Sequence, residues 1–378
     1  MDGQDVYSPV TAATPCRREK LEGQWIPNAH WLEWRRGYAQ LQDLSMDEVV
    51  LLTGLPSLYA RRLAQELRQT GAEVVALVRR SERYEGVSKV LEGSASALDL
   101  GLSGSELMEL AERVTHVHHV AEVSPVEGNE PASVAAAREI LEFALHCKRL
   151  RCLVHHSTLR VAGDRTGLVR EDDLEGGQRF RNKDDEGRAR AEKLLRGART
   201  RLPVVVLRPA PLVGDSETGE LDTTDAALLL RLLVVSPRDL SLPLLGRGQW
   251  PLHVVPVDYV ARAACLLGRH KNAPGRTFHL VDSVPLPARQ WVERVVEAAQ
   301  RDRPVLPAYG VKAVLDSPGL ERLLRSPRAF FDDLLAPVGF STAHADELLA
   351  SSGLRCPPFE SYVESLVAWV VKDLRGGN

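Results

Sequence analysis

The chain has 378 residues, 44% hydrophobic and 26% charged, enough for one large α/β domain or two medium ones with proper cores. A net charge of -3 supplies no basic field of the kind that neutralises nucleic-acid phosphates. Cys16, Cys147, Cys152, Cys265 and Cys356 show neither CxxC nor Cys/His spacing, which argues against a disulfide framework or a metal site and for a reducing cytoplasm.

The N-terminus, MDGQDVYSPV, lacks a basic stretch followed by an apolar one, and the most apolar later run, AALLLRLLVV, is short and carries Arg231. No export signal or membrane insertion is expected. The abundance of Arg, Ala and Leu suggests a bacterial source. Residues 1–47 form a Trp-rich extension in which Trp31, Trp34 and Tyr38 fall at helical spacing. That spacing predicts a short helix laying an aromatic stripe on the main domain; an arm that docks on a partner or lids a cleft is the other reading.

From Glu48 the pattern changes to short, fully apolar runs alternating with helical periods: EVVLLTG, ARRLAQELRQTG, AEVVALVRR, VTHVHHVAEV, SVAAAREILEFALHC, RCLVHHST, EGRARAEKLLRGA and PVVVLRPAPLVG. Apolar runs bounded by turns and separated by helices predict βαβ units around a parallel sheet buried on both faces. Residues 48–218 therefore read as a Rossmann-type, doubly wound α/β core. Residues 219–378 read as a smaller, mainly helical lobe for substrate or interaction, with room for strands returning to the core sheet. The final RGGN reads as a frayed tail.

In order and spacing these segments resemble an extended short-chain dehydrogenase/reductase, specifically the epimerase/dehydratase and thioester-reductase-like (male sterility) branch. The carriers are VVLLTG, VVALVRR, HVHHVAE, LVHHST, LRPAPLVGDSETGE, LHVVPVDYVARAA and GRTFHLVD. The resemblance implies a dinucleotide site at TGxxGxxG, here Thr53, Gly54, Leu55, Pro56, Ser57, Leu58, Tyr59 and Ala60. Only the first glycine remains. Ser57 and Ala60 replace the glycines that let pyrophosphate approach and helix pack on strand, and Pro56 has no amide hydrogen. Arg79 and Arg80 at the second strand's end suit a 2′-phosphate, so a weakened site would favour NADP; two solvated arginines are the plain alternative. Gly93 and Ser94 stand at the family's adenine-facing GD pair. His119, Val120, Ala121 and Glu122 stand at its small-residue HxAA motif, where Glu122 would repel the cofactor's anions.

By the same resemblance, FRNKDDEGRARAEKLL places Asp184 at the catalytic tyrosine and Arg188 at the lysine of YxxxK. An aspartate of ordinary pKa about 3.9 is already ionised and cannot donate a proton near neutrality. Arg188, four residues on, is expected to pair with it. The family's catalytic hydroxyl is retained as Ser157 or Thr158, and its helix asparagine is replaced by Ser133. His155 and His156, like His118 and His119, sit on strands whose side chains alternate, so one of each pair could face the cleft. His156 is the substitute proton donor considered, against the plain reading of core histidines with satisfied hydrogen bonds.

Three functional expectations follow. The first is a pseudoenzyme of reductase fold that binds a protein partner, a nucleotide or both. The second is a divergent NADP-dependent reductase or epimerase with a non-standard donor, and the third a non-catalytic NADP sensor. Self-association as a homodimer would use SVAAAREILEFALHC and DEGRARAEKLLRG, the first of which carries an apolar face.

Overall fold

A computed structural model describes residues 47–120, 131–221, 224–235, 250–300 and 337–376, together with the short antiparallel strands β1 (Lys20–Leu21) and β2 (Gln24–Trp25). The predicted helix through Trp31, Trp34 and Tyr38 lies outside the described residues, as do Ala121 and Glu122.

The central sheet has seven parallel strands in the order β10 (Thr277–Leu280), β9 (Val204–Pro209), β7 (Cys152–His156), β6 (His116–Val120), β3 (Val49–Leu52), β4 (Glu73–Val78), β5 (Lys89–Glu92). This is the doubly wound α/β architecture expected from the sequence, with β10 as a return strand from the C-terminal part. The chain winds one way through β4 and β5 and the other through β6, β7, β9 and β10. The crevice between the ends of β3 and β6 is therefore the topological switch point, where such sheets bind ligands.

Helices cover both faces, which is why the strands read as unbroken apolar runs. Against one face lie α1 (Leu58–Gln69) and, far later in the chain, α6 (Val257–Arg269), with Leu63, Leu67, Val260 and Ala264 inside the core. Against the other lie α2 (Gly104–Arg113), α3 (Ala132–His146) and α4 (Lys183–Gly197), with Leu110, Ile140 and Leu195 inside. Ser103 and Glu106 form a reciprocal capping box at the start of α2, satisfying amides that a helix start otherwise leaves open.

A second core lies in the C-terminal lobe. It joins α5 (Asp225–Val235), α7 (Ala288–Ala298) and α9 (Val363–Gly376) around Trp291, which is fully buried and stacks on Phe359 at 5.0 Å. β8 (Gly167–Val169) and β11 (Val338–Phe340) form a small parallel pair, and helix α8 (Ala343–Leu349) packs Ala345, Leu348 and Leu349 into the first core beside α6. Buried Glu171 accepts hydrogen bonds from the backbone N–H of His279, His344 and Ala345, fixing the start of α8 to β10.

An ionic cluster joins the loop after β9 to both helices of the first face. Arg62 on α1 holds Glu217 at 2.5 Å and Asp215 at 3.4 Å. Arg262 on α6 pairs with Glu217 and reaches Glu66 at 3.4 Å. Asp258 accepts from Ser216 Oγ at 2.7 Å and from Ser216 N at 2.8 Å. Among the described residues no helix is long and apolar enough to cross a membrane.

Candidate active site at the sheet switch point

The turn between β3 and α1 begins with Gly54 at φ +93°, where a Cβ would stand 2.6 Å from Val120 Cβ. Two facts therefore require glycine, the left-handed backbone and the close approach of β6. Thr53 locks the same junction: its N–H donates to His118 O at 3.1 Å and its Oγ1 to Val120 O at 2.8 Å. Ala60 is fully buried against Leu55, Ala76 and Val78. Its methyl is absorbed in the helix–strand contact, so the third glycine position still performs its packing role.

Ser57 behaves differently from a phosphate-loop glycine. It caps α1, with Oγ donating to Gly54 O at 2.8 Å and accepting from Ala60 N at 3.3 Å, while its own N–H donates to Gly54 O at 3.2 Å. Two amides of the loop are thus engaged internally, and an anion at this helix end would have to compete with the cap. The turn and the packing fit a dinucleotide; the donor set is reduced. Arg79 and Arg80 follow β4 directly and are exposed. Gly93, at the end of β5, is required, because a Cβ there would run into Leu100 O and stand 2.8 Å from Leu77 Cδ1.

On α4 the pair expected from helical spacing is present. Arg188 Nε donates to Asp184 Oδ2 at 2.9 Å, the aspartate being largely exposed. Ser157 is buried, and its Oγ donates to Glu192 Oε2 at 2.6 Å. Glu192 in turn receives Arg208 Nη2 at 2.6 Å and Nε at 3.0 Å in a completely buried ion pair. The Ser157 hydroxyl is therefore part of a structural network. Thr158, half-buried and capping the next turn with Oγ1, is the retained hydroxyl nearer the surface.

The histidines divide between the two faces of the sheet. His118 and His156 lie under α1 and α6. Tyr59 Oη and His156 Nδ1 share a hydrogen bond of 2.8 Å, and His156 Nε2 and His118 Nδ1 one of 3.1 Å. Burial pushes His156 down to about 3 and His118 well below the imidazole range, and raises the Tyr59 phenol. With all three neutral, each of these two hydrogen bonds carries one proton. Both ring nitrogens of His156 are thus consumed on the face opposite Asp184. His156 therefore sits in the core beneath α1 with both ring nitrogens engaged.

His119 and His155 face the other way, toward α3 and α4, stacked at 5.4 Å with 23° between their planes. Burial first, then a neighbouring imidazole (His155 beside His119, His156 beside His155) and the Arg188 charge, bring both down to about 3. Thr53 Oγ1 lies 3.2 Å from His119 Nδ1, whereas His119 Nε2, both nitrogens of His155 and Ser133 Oγ have no hydrogen-bond partner among the described residues.

A histidine held neutral in the fold but free to bind a proton below about 6.5 when unfolded stabilises fully only above that pH. Stability is lost as pH falls from there toward the folded values near 3. Each such group steepens the loss by up to about 1.4 kcal/mol per pH unit. Urea midpoints measured between neutral and mildly acid pH should fall steadily; a flat profile would refute the neutral assignment.

Just after Thr158 in the chain, Leu159 and Arg160 help line a small cleft of about 50 Å³ between the core and the lobe, walled also by Ala162, Pro211, Leu252 and Phe340, with Asp185 and His253 among its polar groups. Asp185, one residue past the tyrosine position, is buried and receives Asn182 Nδ2 at 3.0 Å. Sequence reading missed Asp185, Glu192, Arg208 and Tyr59 as site-building residues. The signal for two of them was available: Asp185 and Glu192 stand seven apart, on one side of a helix.

Fold and switch-point loop define an extended short-chain dehydrogenase/reductase. Within that class the chain belongs to the male sterility protein family of NAD-binding domains, whose model matches residues 57–264, more than half of it. It is 27% identical over 294 residues to "Glycine betaine reductase ATRR" of Emericella nidulans, covering 68% of this chain but 23% of that protein. The chain thus spans about a quarter of the curated relative's length. Among solved structures, the terminal R domain of the myxalamid PKS-NRPS pathway superposes with TM-score 0.72 at 23% identity, over 92% of this chain and 98% of that one. MoeE5 in complex with UDP-glucuronic acid and NAD superposes with TM-score 0.60 at 18% identity, over 86% and 99%. Both likenesses are of fold.

Proposed function

We propose that this chain is a pseudoenzyme of the reductase fold, acting by binding a protein partner and, weakly, a dinucleotide with NADP favoured over NAD. One observation carries the proposal: the two positions of the family's proton relay hold an Asp184–Arg188 ion pair at 2.9 Å. An ionised carboxylate held by a guanidinium has no proton to give to a carbonyl oxygen. The internal bonding of Ser57 supports weakened nucleotide affinity, and the exposed Arg79 and Arg80 support the preference for a 2′-phosphate.

A second reading, a divergent NADP-dependent reductase or epimerase, is favoured by the small cleft lined by Leu159 and Arg160, where buried Asp185 is a polar group next to the family's reaction position. Titration with NADPH and NADH by fluorescence, followed by a turnover assay with aldehydes and thioesters, separates the two. The pseudoenzyme reading expects weak NADPH binding and no turnover in the native protein. Replacing Asp184→Tyr together with Arg188→Lys should then raise NADPH oxidation by about 10²-fold or more. Turnover by the native chain that Asp185→Asn abolishes would overturn the proposal in favour of the second reading.

A further inference from the structure

Helices α3 and α4 run side by side, and their outer surfaces flank an open groove of about 690 Å³. Val134, Leu141, Leu145 and Leu194 give it an apolar lining, and Gly197 and Ala198 on the α4 side are too small to fill it. Its charged lining residues are all cations: Arg138, Arg190, Lys193 and Arg201, each exposed. Glu142 and Glu186, exposed acids of the same helices, are not among the lining residues. Lys193 also holds Glu175 at 2.5 Å; in a protein of net charge -3, four cations against that one acid around an apolar trough are still a local excess of positive charge.

We propose that this groove receives an acidic amphipathic helix of a partner protein. An apolar stripe on that helix would lie on the leucines, and its flanking carboxylates would meet the cationic rim, the helix-in-groove mode of recognition. Each wall is a 15-residue helix, about 22 Å long at 1.5 Å per residue, which suits three to four turns of a guest. A second copy of this chain suits the groove poorly. A two-fold contact sets a patch against itself, and here that opposes cation to cation. A single-stranded nucleic acid would look for stacking platforms, yet the lining holds no Phe, Tyr or Trp. A flat bilayer does not enter a trough.

The test uses the full chain and a fluorescein-labelled helical peptide of about 15 residues, with leucines at i, i+3, i+4 and i+7 and glutamates on its flanks. A peptide with lysine for every glutamate is the control. Binding of the glutamate peptide, absence of binding by the lysine peptide, and weakening by about tenfold or more in Arg190→Glu/Lys193→Glu and in Leu145→Asn are expected. Circular dichroism and the thermal midpoint establish that both variants fold. Four outcomes overturn the proposal: no binding of the glutamate peptide, equal binding of the lysine peptide, unchanged affinity in folded variants, or a dimer in sedimentation that Leu145→Asn dissociates. The readout is independent of nucleotide binding and turnover, so its failure leaves the reading of Asp184 and Arg188 untouched.

Discussion

Arg208→Met should destabilise the protein by about 3–5 kcal/mol, because it strands the Glu192 carboxylate in a site with no access to water. Arg208 and Glu192 are 1% and 0% exposed, joined by bonds of 2.6 and 3.0 Å, with Ser157 Oγ supplying a third contact at 2.6 Å. Removing Arg208 leaves buried Glu192 with only the Ser157 hydroxyl and Arg196 at 3.6 Å, so most of its desolvation cost is uncompensated, whereas removing both leaves mainly a packing problem. The double variant Arg208→Met/Glu192→Leu should therefore recover most of the loss. Urea unfolding would show a lower midpoint with an unchanged slope for the single variant. A double variant as unstable as the single one would mean that packing around Arg208, and not charge pairing, sets the stability.

Gly54→Ala is the second large effect, about 2–6 kcal/mol, from left-handed strain of about 1–3 kcal/mol together with overpacking of similar size. The overpacking is against Val120, whose Cβ and Cγ1 stand 2.6 and 2.7 Å from the added atom. Gly167 is an internal control: its φ is +77° and a Cβ there meets nothing within 4 Å. Gly167→Ala should cost only the strain, and the difference between the two midpoints isolates the contact with β6. Equal losses at both sites would show that β6 yields freely and that the turn is less tightly defined than the geometry states.

The parallel core was legible because buried strands and periodic helices leave strong local patterns, and each run from EVVLLTG to PVVVLRP became a strand or helix of the sheet. The ion pair on α4 was legible for the same reason, since four residues is one helical turn. Partners distant in sequence were not. Glu192 and Arg208 meet only because α4 packs on β9, and Tyr59 meets His156 only because α1 lies across the sheet. Alternation states that adjacent strand histidines point opposite ways; which face each takes depends on the parity of the whole strand. His156 follows Val154 and Cys152 into the core beneath α1, and His155 follows Leu153.

The ionic cluster after β9 also bears on how the molecule can move. Gly214 and Gly219 bracket that loop at positions where any side chain would strike α9, Leu366 at the first and the Ser365 backbone at the second. The same few residues therefore clasp α1 and α6 through charge and the lobe's outer helix through steric fit. Moving α9 off this loop would open the close contacts at Gly214 and Gly219, whereas moving the loop off the core would break the pairs of Glu217 with Arg62 and Arg262. The loop thus ties the packing of α9 to the charge pairs that hold α1 and α6 together.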